Sequence, residues 1–308
     1  MRRSRIGVLG AVLLALIVLM SACGGPGGDE PNEPSGEGGG EKGELTVGSD
    51  NFAEAQIVAE MYAQVLEDAG YRVERQLDLE SREVRLPAME DGQIDIAPEY
   101  LASLLSVVDP KATPSGDAAE AATQLEEPLA EMGLETLEPS DVVDTNAFVV
   151  TQETADEFQL ESVSDLADVA GDMVLGAPPE CPERPFCIPG LKKTYNVEFS
   201  DFKPLEYGAT ITALSGGEID VGLLFSTDGS IAENNFVVLE DDKNLQAADN
   251  ITPLVVSESL DPEIEELLNS VSAALTEDEI TELNKRANVD VEDPEDLAAE
   301  FLEDKGLL

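Results

Sequence analysis

Two aromatic residues, Tyr100 and Phe225, occupy the same place in a weak internal repeat. Residues 88–100 (AMEDGQIDIAPEY) align without gaps with residues 213–225 (ALSGGEIDVGLLF), and each copy reads as a helix end, a glycine and a strand. The repeat predicts an aromatic side chain just past the carboxyl end of a strand in each half, where it would line a cleft between two lobes. The alternative is that helix–glycine–strand connections look alike in many proteins.

Catalytic chemistry has little support in this sequence. The 308 residues include no histidine, which is the commonest general base and metal ligand, and no tryptophan. Carboxylate pairs remain, but the presence of 66 acidic residues makes such pairs uninformative. We therefore predict no catalytic residue, no metal and no cofactor, and we interpret the chain as a protein that is not an enzyme.

The formal net charge is −49, which excludes nucleic acid as a partner because the phosphates would be repelled. Such a charge is compatible with a soluble surface that repels other copies of itself. It also suggests a host that lives in high salt, where dissolved ions screen the repulsion between the acidic side chains.

The N-terminus predicts export and lipid attachment. Three arginines in the first five residues precede an apolar run at 6–20, which is short for a membrane span. Residues 21–24 (SACG) resemble the bacterial lipoprotein box, so we predict a signal peptide at 1–22 and acylation of Cys23. Residues 23–43 would then be a flexible, lipid-anchored tether on the extracytoplasmic face of the cell membrane. The alternative is an ordinary signal peptide with an incidental cysteine.

The other two cysteines, Cys181 and Cys187, are predicted to form a disulfide in the exported protein. The bond would close a short loop (CPERPFC) that contains two prolines, and it would shape this loop rather than staple the whole fold. A metal site is the alternative, but two cysteines without any histidine make a poor zinc site.

Strand and helix patterns alternate along the rest of the chain. Strands are predicted at 45–48, 73–79 and 94–97, and the helices between them begin at Asn51 and Ser81, which we expect to act as N-caps. Glycines at 70 and 92 are predicted to end these helices. This order of elements predicts an α/β fold with a largely parallel sheet.

The second half of the chain contains segments that we expect to lead the backbone back to the first lobe. Apolar stretches at 141–151 and 249–257 are predicted to be strands that cross between halves, and the residues from 262 onwards to be helical, with one helix starting at Thr276. We therefore expect a two-lobed clamshell with two hinge crossings. Residues 44–145 would form the first part of lobe 1, residues 146–248 would form lobe 2, and residues 249–308 would return to lobe 1.

Six stretches occur in the same order as in a known family. They are GSDNFAE at 48–54, SREV at 81–84, GQID at 92–95 with PEY at 98–100, DTNAF at 144–148, Arg184 with PGL at 189–191, and FSTDG at 225–229. In these motifs the chain resembles the glycine betaine/choline/proline betaine substrate-binding proteins of ABC transporters. The resemblance implies a type II periplasmic-binding fold, a small-molecule solute in a closed cleft, and docking onto a membrane permease with cytoplasmic ATPases. We expect the protein to be a monomer.

The resemblance implies a ligand site and names its residues. The family holds a quaternary ammonium, which cannot donate hydrogen bonds, with aromatic faces that attract the cation. Tyr100 matches a cage tyrosine, Ser103 stands where the family has a hydroxyl residue, and Arg184 matches an arginine that helps to bind the ligand's carboxylate. The full set of predicted ligand-binding residues is Asp50, Asn51, Phe52, Tyr100, Ser103, Asp144, Asn146, Arg184, Phe225 and Asp249.

This chain departs from the family at four of these positions. Asn146 and Phe225 replace tyrosines, and Asp249 lies where a tyrosine pair usually precedes the hinge proline, so we expect the aromatic cage to be largely lost. Asp50 stands where betaine-binding members often carry lysine. An acid there would repel a carboxylate and favour a cation without one, such as choline.

Structural roles remain open for three of these residues: Tyr100 as core packing, Arg184 as a partner of surface acids, and Asp50 as a solvated acid. The leading hypothesis for function is a binding protein for osmoprotectant-type solutes. The alternatives are a binder of a different small polar cation or zwitterion on the same scaffold, and a surface lipoprotein with a sensory or structural role that has lost ligand binding.

Overall fold

The computed structural model describes residues 42–247 and 249–308. The predicted signal peptide at 1–22, the predicted lipid-attachment residue Cys23 and most of the predicted tether lie outside the described residues. The described part contains two five-stranded sheets, which we name, together with their helices, lobe 1 and lobe 2. In this part of the chain no helix is both long enough and apolar enough to cross a membrane.

Lobe 1 is built from two separate stretches of chain. The first contains β1 (Glu44–Asp50), α1 (Ala53–Asp68), β2 (Arg72–Leu79), α2 (Arg82–Glu90), β3 (Ile96–Tyr100), α3 (Leu101–Val108), α4 (Ala118–Met132) and β4 (Leu134–Thr136). Lobe 2 contains β5 (Asn146–Thr151), α5 (Gln152–Phe158), β6 (Val174–Ala177), α6 (Ile188–Gly190), β7 (Asp201–Pro204), α7 (Tyr207–Ser215), β8 (Val221–Phe225), α8 (Ser230–Glu233) and β9 (Phe236–Val238). The return stretch of lobe 1 contains β10 (Ile251–Val256), α9 (Pro262–Ala274), α10 (Glu277–Asn288) and α11 (Pro294–Lys305).

The two sheets have the same plan. In lobe 1 the strand order is β2-β1-β3-β10-β4, with β1 parallel to β2 and β3, and with β10 antiparallel to β3 and β4. In lobe 2 the order β7-β6-β8-β5-β9 repeats this pattern, with β6 in the place of β1 and β5 in the place of β10. Each sheet is therefore mixed rather than largely parallel as predicted: the pairings on one side of the central strand are parallel and those on the other side are antiparallel.

The internal repeat of the sequence is also a repeat of structure. Gly92 and Gly217 each end a helix with φ of 67°, a left-handed conformation that suits glycine. Three residues later, Asp95 and Asp220 each accept a hydrogen bond of 2.8 Å from a backbone N–H in the neighbouring parallel strand. This agreement supports a true repeat over a chance resemblance between two connections.

The aromatic residues of the repeat end equivalent strands. β3 begins at Ile96, two residues later than predicted, so Tyr100 is its last residue rather than a residue beyond it. Phe225 is likewise the last residue of β8. Tyr100 lies opposite Ile251, the first residue of β10, and Phe225 lies opposite Asn146, the first residue of β5. Each aromatic residue thus stands where an antiparallel strand enters its lobe.

The chain passes between the lobes at two neighbouring segments. The strands predicted at 141–151 and 249–257 are longer than the observed β5 and β10, and each of these strands pairs only within its own sheet. Between the lobes, Val143 and Asn250 form an isolated antiparallel bridge. Backbone hydrogen bonds on both sides of the bridge join the segments further, so the two crossings form one short ribbon.

One of the predicted N-caps is wrong, and a second is correct in position only. Helix α1 begins at Ala53 with Phe52 rather than Asn51 at its N-cap, and the side chain of Ser81 does not cap α2 although the residue holds the N-cap position. At the start of α1, Asn51 is exposed, and the ring of Phe52 packs against the rings of Tyr100 and Phe225. The predicted start of α10 is correct, because Thr276 accepts a hydrogen bond from the backbone of its first turn.

Lobe 1 has an apolar core on each face of its sheet. Neighbouring residues of β3 point to opposite faces, so Ile96 packs in the core with α1 and α9–α11, whereas Ala97 packs in the core with α2–α4. The C-terminal helices are part of the first core, since Leu297 and Leu302 of α11 are fully buried. The return stretch therefore completes lobe 1 and fixes α1, whose N-terminus faces lobe 2.

Candidate functional site

A cavity of about 110 Å³ lies between the lobes. All ten residues that the sequence predicted to bind a ligand line this cavity. The other lining residues are Glu80, Ser81, Arg82, Ser106, Pro178, Glu180, Cys181, Phe186, Cys187, Glu206, Tyr207 and Leu223. The structure thus brings the ten residues together from both lobes and from both crossings.

Four aromatic rings form a continuous series in the lining, which we name the aromatic wall. The ring of Phe52 lies 6.1 Å from that of Tyr100 and 5.0 Å from that of Phe225, between ring centroids. The ring of Tyr207 stacks on Phe225 at 5.3 Å with an angle of 13° between the ring planes. The expected loss of the aromatic cage is therefore wrong in part, because Phe52 and Tyr207 supply rings beside the two residues of the repeat.

Tyr207 is the site residue that the sequence analysis missed. It is the first residue of α7, and its hydroxyl donates to the carboxylate of Asp228. Extending the gapless repeat towards the N-terminus places Tyr207 opposite Arg82, the first residue of α2, and both residues line the cavity. A longer alignment of the repeat would have pointed to this position.

Tyr100 belongs to the core and to the cavity at once. Its side chain is 7% exposed and packs in the core of lobe 1, while its ring forms one end of the aromatic wall. The hydroxyl donates to Glu54 Oε1 at 2.8 Å. Burial, and then the charge of Glu54, raise the pKa of Tyr100 well above its ordinary value, so the phenol stays neutral.

A buried pair of acids joins the lobes. The hydroxyl of Thr227, in lobe 2, lies 2.6 Å from Glu54 Oε2 of α1 and 3.0 Å from Asp144 Oδ1 of the first crossing. Asn284 of α10 donates to Glu54 Oε2 at 2.7 Å and to the backbone carbonyl of Thr227 at 3.1 Å. The side chain of each of these four residues is almost fully buried.

Burial favours the protonated form of this acid pair. The hydroxyl of Thr227 has one hydrogen, so it can donate to Glu54 or to Asp144, and the other contact needs a protonated carboxyl group. Burial raises the pKa of Glu54, although three hydrogen bonds oppose it. Burial and the charge of Glu54 raise the pKa of Asp144 well above its ordinary value. The predicted site residue Asp144 therefore contributes less negative charge to the cavity than its type suggests.

Asp50 is not the isolated charge that the sequence suggested. Arg85 donates to Asp50 Oδ1 at 2.9 Å and to Glu99 Oε1 at 2.6 Å, and Arg82 donates to both oxygens of Glu99. Burial works against the charge of Glu99, but the two arginines outweigh it and hold the pKa of Glu99 at about 2. The expected repulsion of a carboxylate by Asp50 is therefore reduced by Arg85, and Asp50 is a paired rather than a solvated acid.

Arg184 lies in the loop that the disulfide Cys181–Cys187 closes, and it bridges the lobes. Its guanidinium donates to Glu83 of lobe 1 at 3.0 Å and to Glu180 of lobe 2 at 3.3 Å. The disulfide confirms the predicted pairing over the metal alternative. The Nε–H group of Arg184 is buried and donates to no acceptor among residues 42–247 and 249–308. The arginine thus pairs with acids, as one alternative expected, and keeps one donor for a ligand.

Asp249 caps helix α3 from the second crossing. It accepts hydrogen bonds from the backbone of Ala102 at 2.7 Å, from the backbone of Ser103 at 3.0 Å and from the hydroxyl of Ser103 at 2.5 Å. Burial raises the pKa of Asp249 to about 6 even though these bonds stabilise the charged form. The hydroxyl of Ser103, which was predicted to bond a ligand, therefore donates to Asp249.

Asn146 belongs to a chain of amides in lobe 2. Its Nδ2 donates to Gln246 Oε1 at 3.1 Å, and Gln246 Nε2 donates to the backbone carbonyl of Phe186 at 2.9 Å. Phe186 and Asn146 both line the cavity. The amide chain therefore connects the start of β5 to the disulfide loop and fixes the direction of the Asn146 side chain.

The cavity is lined by groups that can bind a small solute. The lining offers π faces, carboxylates and amide oxygens, while among the described residues no group of three or more Cys, Asp or Glu side chains could hold a metal ion. A cavity between two α/β lobes that two short crossings connect defines a two-lobed solute-binding protein.

The comparisons with known proteins agree with this class. The chain belongs to the family described as the substrate binding domain of the ABC-type glycine betaine transport system, whose model matches residues 43–304. The members of this family are transport proteins and not enzymes. The chain is therefore the substrate-binding component of an ABC transporter, which binds a small solute outside the cytoplasm and works with a membrane permease.

Individual relatives cover nearly the whole chain. A carnitine transport binding protein of Listeria monocytogenes, OpuCC, is 29% identical over 311 residues, which are 98% of this chain and 97% of the relative. A glycine-betaine-binding protein of Pseudomonas aeruginosa is 30% identical and covers 86% of this chain and 88% of its own. A solved structure described as a glycine betaine/carnitine/choline ABC transporter has a TM-score of 0.67 and 27% identity, with 85% of this chain and 99% of that chain covered. These matches confirm the predicted family and the two-lobed α/β fold.

Proposed function

We propose that this chain binds a small osmoprotectant-type solute with a quaternary-ammonium head, and that the head lies on the aromatic wall. The observation that carries this proposal is the series of four rings, Tyr100, Phe52, Phe225 and Tyr207, in the lining of one small cavity. A quaternary ammonium cannot donate hydrogen bonds, so aromatic faces are the protein surface that attracts it most. The relatives that are named for carnitine and glycine betaine support the same chemical class.

The charges of the lining support a cationic solute. Two arginines, Arg82 and Arg184, line the cavity with six acids, which are Asp50, Glu80, Asp144, Glu180, Glu206 and Asp249. Asp144 contributes less than a full charge because its pKa is raised, and Asp50 is paired with Arg85, but the acids still outnumber the arginines. Arg82 is committed to Glu99, whereas Arg184 keeps its buried Nε donor. A carboxylate on the solute could therefore accept a hydrogen bond from Nε of Arg184. The positive head would be attracted by the larger number of acidic groups.

Calorimetric titration of the purified full-length chain tests this proposal. The solutes are glycine betaine, choline, carnitine, proline betaine and ectoine. We expect heat of binding and an increase in melting temperature with at least one quaternary ammonium. The absence of both signals with all five solutes would refute the proposal and favour the sensory or structural alternative.

A pair of phenylalanine variants tests the role of the aromatic wall. Phe225→Ala removes the central ring, and we expect it to weaken binding about 5- to 30-fold, since a desolvated cation–π contact contributes about 1–2 kcal/mol. Phe158→Ala is the matched control, because Phe158 lies in the same lobe but is 42% exposed and outside the cavity. Equal effects of the two variants would contradict the assignment.

We further propose that residues 44–145 with 249–308 and residues 146–248 move as two lobes about the paired crossings, and that the protein acts as a monomer. Attachment of a lipid to Cys23 is supported by the residues around it, SACG at 21–24. Replacement of Cys23 by serine should release the protein from membranes into the medium or periplasm. Retention of the Cys23→Ser protein in the membrane fraction would contradict lipid anchoring.

A further inference from the structure

The amide chain of lobe 2 fixes which atom each amide presents. The nitrogen and oxygen of an amide side chain are distinguished by their hydrogen-bond partners. The partner at the end of this chain is the backbone carbonyl of Phe186, which can only accept. Gln246 must therefore turn its NH₂ group towards Phe186, as it does at 2.9 Å, and its oxygen towards Asn146.

The same reasoning determines the direction of Asn146. Because Gln246 presents an oxygen, Asn146 must present its NH₂ group, and the distance between these atoms is 3.1 Å. Asn146 Oδ1 then points away from Gln246, and within the described part of the chain no residue donates to it. Asn146 is half-buried and lines the cavity. Reversing its amide would set two oxygens against each other, so a free acceptor is held in one orientation.

We propose that Asn146 Oδ1 accepts a hydrogen bond from the solute, so that this chain prefers quaternary-ammonium solutes that also carry a hydroxyl or N–H donor. The inference rests on the proposed function and narrows its substrate class. A fully methylated ammonium head has no donor, so the donor stands elsewhere on the solute, as the hydroxyl group does in choline and carnitine. Asn146 thus recognises the hydroxyl or N–H donor of the solute, while the aromatic wall binds the quaternary-ammonium head.

Three matched cations test this inference on the full-length chain. Choline is compared by calorimetry with propyltrimethylammonium, in which a methyl group replaces the hydroxyl, and with the methyl ether of choline, which keeps the oxygen but loses the donor. We expect choline to bind roughly three- to tenfold more tightly than either, the effect of one neutral hydrogen bond. The greater apolar surface of propyltrimethylammonium works in the opposite direction, so equal or reversed affinities would overturn the inference.

Variants connect the preference to Asn146. In Asn146→Leu the preference for choline should disappear, whereas in Gln152→Leu, which removes an exposed amide of the same lobe, it should remain. If Asn146→Leu does not fold, Gln246→Leu frees the orientation of Asn146 and should reduce the preference. A preference that survives loss of Asn146 refutes the inference alone. Failure of all three cations to bind, in a chain that still binds glycine betaine, also refutes the inference and leaves the proposed function standing. Failure of glycine betaine and the other solutes as well refutes the proposed function, so the two failures are distinguishable.

Discussion

Replacing Thr227 by valine should weaken one contact between the lobes without changing the shape of either lobe. The hydroxyl of Thr227 is the direct link from lobe 2 to Glu54, and it also separates Glu54 from Asp144. None of these carboxyl groups would lose every partner, because Asn284 still donates to Glu54 and the backbone of Thr227 still donates to Asp144. We therefore expect the loss of one buried, charge-assisted hydrogen bond, about 1–3 kcal/mol.

Two measurements should report this loss. The free energy of unfolding should decrease, and the melting temperature should fall by roughly 2–4 °C for each kcal/mol. If the solute binds the closed arrangement of the lobes, a loss of about 1–3 kcal/mol in the stability of this arrangement lowers its population. The dissociation constant should then rise by about 5-fold for the smaller loss and by at most about 150-fold for the larger. Differential scanning fluorimetry and calorimetric titration measure the two effects on one preparation.

Thr252→Val is the matched control for this variant. Thr252 is fully buried, and its hydroxyl donates to the backbone carbonyl of Leu137 at 3.0 Å within lobe 1. The control should lose stability and keep its affinity for the solute. The reasoning is refuted if Thr227→Val binds as tightly as the unmodified protein, or if Thr252→Val loses affinity to the same extent.

Two further predictions follow from the site. Asp249 has a pKa of about 6 in the folded protein against 3.8 when exposed, so its contribution to the free energy of unfolding, about 3 kcal/mol at acidic pH, is lost as the pH rises from about 4 to 6. Asp249→Asn should lack this part of the pH dependence in urea unfolding, and an unchanged difference between pH 4 and pH 7 would contradict the assignment. Replacement of both Cys181 and Cys187 by serine should lower the free energy of unfolding by about 2 kcal/mol. It should also weaken solute binding, because the loop carries Arg184 and Phe186; unchanged affinity would show that the loop needs no disulfide.

The sequence predicted the parts of the fold that depend on local pattern. The repeat at 88–100 and 213–225 correctly indicated two equivalent halves, and its glycines correctly marked helix ends. The same local reasoning failed for the N-cap of α1. There, the aromatic contacts of Phe52 with residues far along the chain decide the conformation, and no neighbouring residue records them.

The site was predicted as a set of residues but not as a set of interactions. Ser103 was expected to meet a ligand, yet its hydroxyl donates to Asp249, which is 146 residues away in sequence. Asp50 was interpreted as a lone acid, whereas Arg85 of α2 pairs with it. The residue type determines which functional groups a side chain carries. Its charge and the number of its unpaired donors depend on partners that lie far away in sequence and become neighbours only in the folded protein.

The paired crossings at Val143 and Asn250 have a mechanical consequence. Two crossings without mutual contacts would let the lobes slide and twist as well as bend. Two crossings joined by backbone hydrogen bonds resist shear and torsion and allow mainly bending about one axis. In the lobe movement that we propose, the two lobes would therefore approach each other along a single arc. The closed arrangement of the lobes that a permease contacts would then have the same surface geometry for every bound solute.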